Sequence, residues 1–231
     1  MTVDNYIFKN SKELRELARE KLKENWLKAM LVCFICWFVA DSFSNISNVN
    51  DGIQHISFLN NHIHLNFMDN SSTDNILTFV SFLFSGALYA GSSLFFLKLI
   101  RNQNALVEDL LYGFKSFNLF GKLFLLELIK SLFIILWTLL LIVPGIIASL
   151  KYSMAYYIII DNPDLSVTDA IDLSTKMMDG HKSRLFCLVL SFFGWFLLGI
   201  LTLGIGFIWI SPYYETSKAN FYEELKQAYI D

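Results

Sequence analysis

A few side chains able to do chemistry sit inside otherwise apolar stretches of this sequence. Glu127 and Lys130 are three residues apart, so on a helix they share a face and can pair. Lys151 lies inside the next apolar stretch. An ionisable group at membrane depth faces protein or a watery cavity, or snorkels to the interface, and it is a functional candidate by default. Tyr152, Tyr156 and Tyr157 surround or follow it, Asp161 closes the stretch, and Tyr213 and Tyr214 repeat the aromatic pair near the C-terminus. Together these residues can line a ligand cavity that opens towards the cytoplasm. The competing reading of Lys151 is snorkelling or a structural ion pair.

Other constellations point to less. His55, His62 and His64 lie close together, with His62 and His64 on one face of a strand. They are weak metal candidates, because no tetrahedral ligand set accompanies them. No metal or cofactor is therefore expected. Cys33 and Cys36 have the CxxC spacing but fall in an apolar run without the soluble redox setting of that motif; they read as small buried apolar side chains. There is no Ser/His/Asp set, P-loop, Gly-rich nucleotide fingerprint or HExxH, and an enzyme is not expected. The net charge of −3 gives no bulk basic field for nucleic acid.

The elements that must position these residues are membrane helices. Apolar residues make up 55% of the 231, and only 17% are charged, against about 25% charged in soluble domains. Residues 26–44, 73–99, 119–143, 146–160, 185–201 and 205–214 are the apolar segments, read as six transmembrane helices in three hairpins. Pro144-Gly145 and Thr202–Gly204 are the tight turns of the last two hairpins. The fourth span covers only about 22 Å at about 1.5 Å per residue, so either the bilayer thins around it or its turn is sunk below the outer surface.

Each hairpin follows an amphipathic segment at the cytoplasmic face: residues 10–25, 104–117 and 166–180. Asn10 with Glu13, and Ser166 with Asp169, are spaced as capping boxes; Asn104 is the expected cap of the middle segment and Gly180 the terminator of the last. Seven of the eighteen Lys and Arg residues precede residue 29, and none falls in 45–72 or at the turns near 144 and 203. The positive-inside rule puts both termini in the cytoplasm of a multi-pass cell-membrane protein. Residues 45–72 become an extracytoplasmic loop, where Ile56, Phe58, Ile63, Leu65 and Phe67 alternate about Asn60-Asn61 as in a small β-hairpin. The whole chain, 1–231, reads as one all-α membrane domain with repeat-like units at about 11–99, 104–160 and 166–217. Lys122-Leu123-Phe124 matches Arg184-Leu185-Phe186, and Tyr156-Tyr157 matches Tyr213-Tyr214.

PGIIASLKYSMAYYIIIDNP, the Ser174, Met177, Gly180 and Lys182 pattern, LSFFGW at 190–195, GIGFIW at 204–209 and PYYETSKANFYEEL at 212–225 resemble the uncharacterised bacterial membrane proteins grouped as domain of unknown function 975. The likeness covers about residues 10–228. It implies a multi-pass cell-membrane protein and carries over no catalytic residue. The expected function is that of a non-enzymatic protein that organises membrane lipids or binds a protein or peptide partner. One alternative is a transporter or lipid/peptide-handling protein with a cytoplasm-facing polar cavity. Another is self-protection against membrane-active peptides through the outer hairpin.

Overall fold

A computed structural model describes residues 8–39, 72–202 and 204–230. Among the described residues the fold is all-helical, without strands. The expected outer β-hairpin, with His55, His62 and His64, lies outside the described residues.

Helix α1 spans Ser11–Leu22 and starts as its sequence dictates. The Asn10 side chain accepts from the Lys12 and Glu13 amides, and Glu13 Oε2 accepts the Asn10 amide at 2.9 Å. Leu14, Ala18 and Leu22 form its buried face. Helix α2, Trp26–Val39, follows after one turn. Helix α3, Ser72–Ile100, is long and apolar, and a left-handed Asn102 (φ 55°) ends it. The Gln103 amide returns to the Lys98 carbonyl and the Asn102 amide to the Leu99 carbonyl, the paired bonds of a Schellman cap.

The middle amphipathic segment differs from expectation. It is a 3-10 helix over Val107–Phe114, started by Asp109, whose carboxylate accepts the Leu106 amide, and not by Asn104. The cause is backbone proximity to α3. A Cβ at Gly91 would lie 2.2 Å from the Leu110 carbonyl oxygen, and one at Gly113 would lie 2.6 Å from Ala87 Cα.

Helices α4 (Phe117–Leu140) and α5 (Ile142–Lys151) form a hairpin whose turn is Leu141 alone. Pro144-Gly145 is thus not the turn but part of the first turn of α5. Proline is tolerated there because first-turn amides have no intrahelical acceptor. Gly145 lets α5 approach α4, since a Cβ would meet Thr138 Oγ1 at 2.2 Å. The fourth span is also not one helix. It breaks over Tyr152–Met154 before α6, Ala155–Asp161. Lys151 therefore stands at a helix end, not mid-helix.

Helix α7 (Val167–Met177) begins at Ser166, whose Oγ accepts the Asp169 amide, and stops before Gly180 at φ 75°. Its Ser174 hydroxyl donates to the Lys151 carbonyl at 2.7 Å and accepts the Met154 amide at 3.3 Å, which holds the break between α5 and α6. Helices α8 (Lys182–Ser191) and α9 (Phe193–Leu201) lead to Gly204 at φ 91°, and α10 runs unbroken over Phe207–Ile230 with Pro212 inside it.

Among the described residues four stretches are long and apolar enough to cross a membrane: Phe82–Ile100, Phe117–Leu140, Ile142–Asp161 and Lys182–Leu201. Helix α2 is a shorter apolar helix. Of the six expected spans, these four are found among the described residues. The core is centred on α3, α6 and α10, with Phe95, Phe96, Tyr156, Tyr157 and Phe221 buried. Large apolar side chains of α4, α5 and α9 are exposed, as lipid-facing residues are.

Candidate functional site

Four helices bring a polar cluster into the core. Glu127 and Lys130, one turn apart on α4, pair at 3.0 Å. Tyr156 of α6 donates its hydroxyl to Glu127 Oε2 at 2.5 Å. The Lys130 ammonium lies 4.4 Å from the Tyr156 ring centroid and 5.3 Å from that of Tyr89 on α3, within cation–π range. Lys218 of α10 donates to the Tyr89 hydroxyl at 2.5 Å. Gly86 permits this convergence, because a Cβ there would meet the Leu123 carbonyl oxygen at 2.7 Å. Tyr157 stacks on Tyr222 with centroids 5.0 Å apart, and its buried hydroxyl has no hydrogen-bond partner among the described residues.

A second network ties the ends of α3 and α6 to α10. Asp161 takes both Arg101 nitrogens at 2.8 Å, the Lys226 ammonium at 2.7 Å and the Tyr222 hydroxyl at 2.9 Å. Arg101 also binds Glu223 at 2.5 Å. The hydrogen-bonded Asp161 carboxylate holds the Arg101 guanidinium above its ordinary pKa, with Glu223 acting in the same direction. Nearby, Glu224 takes Arg184 at 2.5 Å and the Lys9 amide at 2.5 Å.

The sequence candidates therefore divide. Glu127, Lys130 and Tyr156 meet in the cluster; Tyr157 packs beside it. Asp161 belongs to the second network. Lys151 does not join either: its Nζ lies 5.8 Å from the centroid of its neighbour Tyr152, which itself meets Phe133. Tyr213 lies under the Arg19 guanidinium and against Phe192, and Tyr214 packs on Phe192 and Phe196. Lys151→Ala is accordingly expected to change stability by less than about 1 kcal/mol, the range of exposed charge interactions. Unfolding in detergent measures this, and a larger loss would contradict the placement.

Sequence reasoning missed Tyr89 and Lys218. A signal existed: Tyr214, Lys218 and Tyr222 recur every four residues, on one helix face. Among the described residues no group of three or more His, Cys, Asp and Glu could hold a metal. Cavities among the described residues lie apart from the cluster. One of about 500 Å³ is lined by Cys33, Phe34, Trp37, Ile205 and Phe207; another of about 600 Å³ lies between Phe117–Leu125 and Ser166–Thr168.

The family model described as "Protein of unknown function (DUF975)" matches residues 1–148 and 139–229. No curated protein and no solved structure matches the chain.

Proposed function

We propose, for a chain that belongs to the DUF975 family of proteins of unknown function, a role as a multi-pass cell-membrane protein that organises lipids or partner proteins and performs no reaction of its own. Both termini lie in the cytoplasm in this reading, which the Lys and Arg distribution supports. One observation carries the functional part. The charged groups of the helical core close on one another, Glu127 on Lys130 and Tyr156, Lys218 on Tyr89, and Asp161 on Arg101 and Lys226. Satisfied polar networks rigidify a bundle, whereas a transport path needs groups left to meet a solute. Deleting the gene is expected to change membrane composition or sensitivity to envelope stress without abolishing the flux of any one solute. Loss of flux of a single solute would overturn this.

A transporter or lipid/peptide-handling protein is the second reading. It is favoured by the Tyr157 hydroxyl, buried without a hydrogen-bond partner among the described residues, in a ring 6.0 Å from the Lys218 ammonium. Under that reading Lys218→Met and Glu127→Ala abolish uptake or export of one solute while the protein still inserts.

A further inference from the structure

We propose that the α4–α5 and α9–α10 hairpins do not cross the bilayer, and that their tips end in hydrocarbon near its midplane, held by the acyl chains of the cytoplasmic leaflet. This rests on the membrane reading above and specifies the lipid partner of that reading.

The depth follows from where solvated charge stops. Helix α7 exposes Thr168, Asp169, Asp172 and Lys176, so its outer face stands in water. Its Ser174 is bonded to the Lys151 carbonyl and the Met154 amide. Water therefore reaches the level of Lys151. From Lys151 to the tip the hairpin has only the 10 residues of α5, about 15 Å at about 1.5 Å per residue. The facing arm agrees: Lys130 sits opposite this level, since Phe133 meets Tyr152, and Ser131–Leu140 spans the same distance.

The second hairpin has the same dimension. Helix α1 exposes Lys12, Glu13, Glu16, Arg19 and Glu20, and its face too requires water. Arg15 donates to the Ser191 carbonyl at 3.2 Å, and Arg19 lies 5.8 Å from the Tyr213 centroid. Beyond Phe192 only the 9 residues of α9 remain, roughly 14 Å. Both hairpins thus reach about half of a hydrocarbon core of about 30 Å. The full lengths of Phe117–Leu140 and Ile142–Asp161 suffice for a crossing, but their inner portions lie beside α7 and the ion networks.

The tips have the chemistry that hydrocarbon demands. Leu139, Leu140, Leu141, Ile142 and Val143 are 64–84% exposed, with no polar side chain among them. At the turn the Leu141 amide donates to the Trp137 carbonyl, the Gly145 amide donates to the Leu141 carbonyl, and Pro144 has no amide hydrogen to satisfy. At the other tip, the Gly204 amide donates to the Gly199 carbonyl, and Thr202 Oγ1 both donates to Gly199 and accepts the Gly206 amide. Internal bonds of this kind suit backbone that meets lipid tails.

The test places single thiols at the tips. In a chain carrying Cys33→Ser, Cys36→Ser and Cys187→Ser, the substitutions Ile142→Cys and Leu201→Cys are made separately, both at exposed positions where little packing is lost. In intact cells a membrane-impermeant maleimide is expected to label neither thiol, and to label both after detergent is added. Nitroxide labels at the same positions, in phosphatidylethanolamine/phosphatidylglycerol vesicles, are expected to be relaxed by oxygen but not by a water-soluble nickel chelate, at a depth of about 15 Å. Labelling of either tip from outside, or nickel access at the far headgroups, overturns the proposal. Carbonate extraction separates the two failures. A chain that stays in the membrane with labelled tips refutes only the hairpin depth, and a chain that washes off refutes the membrane reading as well.

Discussion

Asp161→Asn is expected to destabilise the protein by about 3–5 kcal/mol, the cost of removing one partner from a buried ion pair. Asp161 has a side chain only 7% exposed and is bound by Arg101 and Lys226. Asparagine keeps the volume and one acceptor oxygen but loses the charge. Arg101 keeps Glu223, while Lys226 has no other carboxylate partner among the described residues. The loss reaches three elements together, because Arg101 follows α3, Asp161 ends α6, and Tyr222 and Lys226 belong to α10. Equilibrium unfolding in detergent measures it. Lys226→Met alone removes the more exposed of the two cations and is expected to cost far less. A change below about 1 kcal/mol for Asp161→Asn, within the surface range, would show that water screens the network and that it does not hold these helix ends.

Gly91→Ala is expected to cost about 3 kcal/mol, at the upper end of overpacking effects, and Gly91→Leu to leave no folded protein. The added Cβ would stand 2.2 Å from the Leu110 carbonyl oxygen and 2.7 Å from Leu110 Cα. Both are backbone atoms, so no rotamer change relieves the clash, and the 3-10 segment has to leave α3. The comparison is Gly121→Ala on α4, where an added Cβ meets nothing within 4 Å. That change is expected to stabilise by up to about 1 kcal/mol through helix propensity. Equal effects of the two alanines, read by thermal unfolding, would remove the argument from close backbone approach.

What could be read in the sequence was local. The Asn10 and Ser166 caps and the Gly180 stop depend on residues within four positions of one another, and the structure has all three. The Glu127–Lys130 pair is local as well. Pro144-Gly145 misleads because a proline marks a turn and a first helical turn equally well; which of them forms depends on Thr138, across the hairpin. The break at Tyr152–Met154 is held by Ser174, twenty residues downstream, and the 3-10 geometry of Val107–Phe114 by the contacts of Gly91 and Gly113. Tyr89 and Lys218 are 129 residues apart. No periodicity along the chain brings such residues together; only the packing of α3 against α10 does.

Helix α10 gives the molecule an order of assembly. It supplies Lys218 to Tyr89, Glu223 to Arg101, Lys226 to Asp161 and Glu224 to Arg184 and Lys9. It is also the last described helix to leave the ribosome. Until then the nascent chain holds Asp161 without Lys226 and Arg184 without Glu224, and the earlier helices have only part of their ion pairing. Assembly of the bundle therefore waits for α10, and a chain truncated before it leaves Asp161 without Lys226 and Arg184 without Glu224.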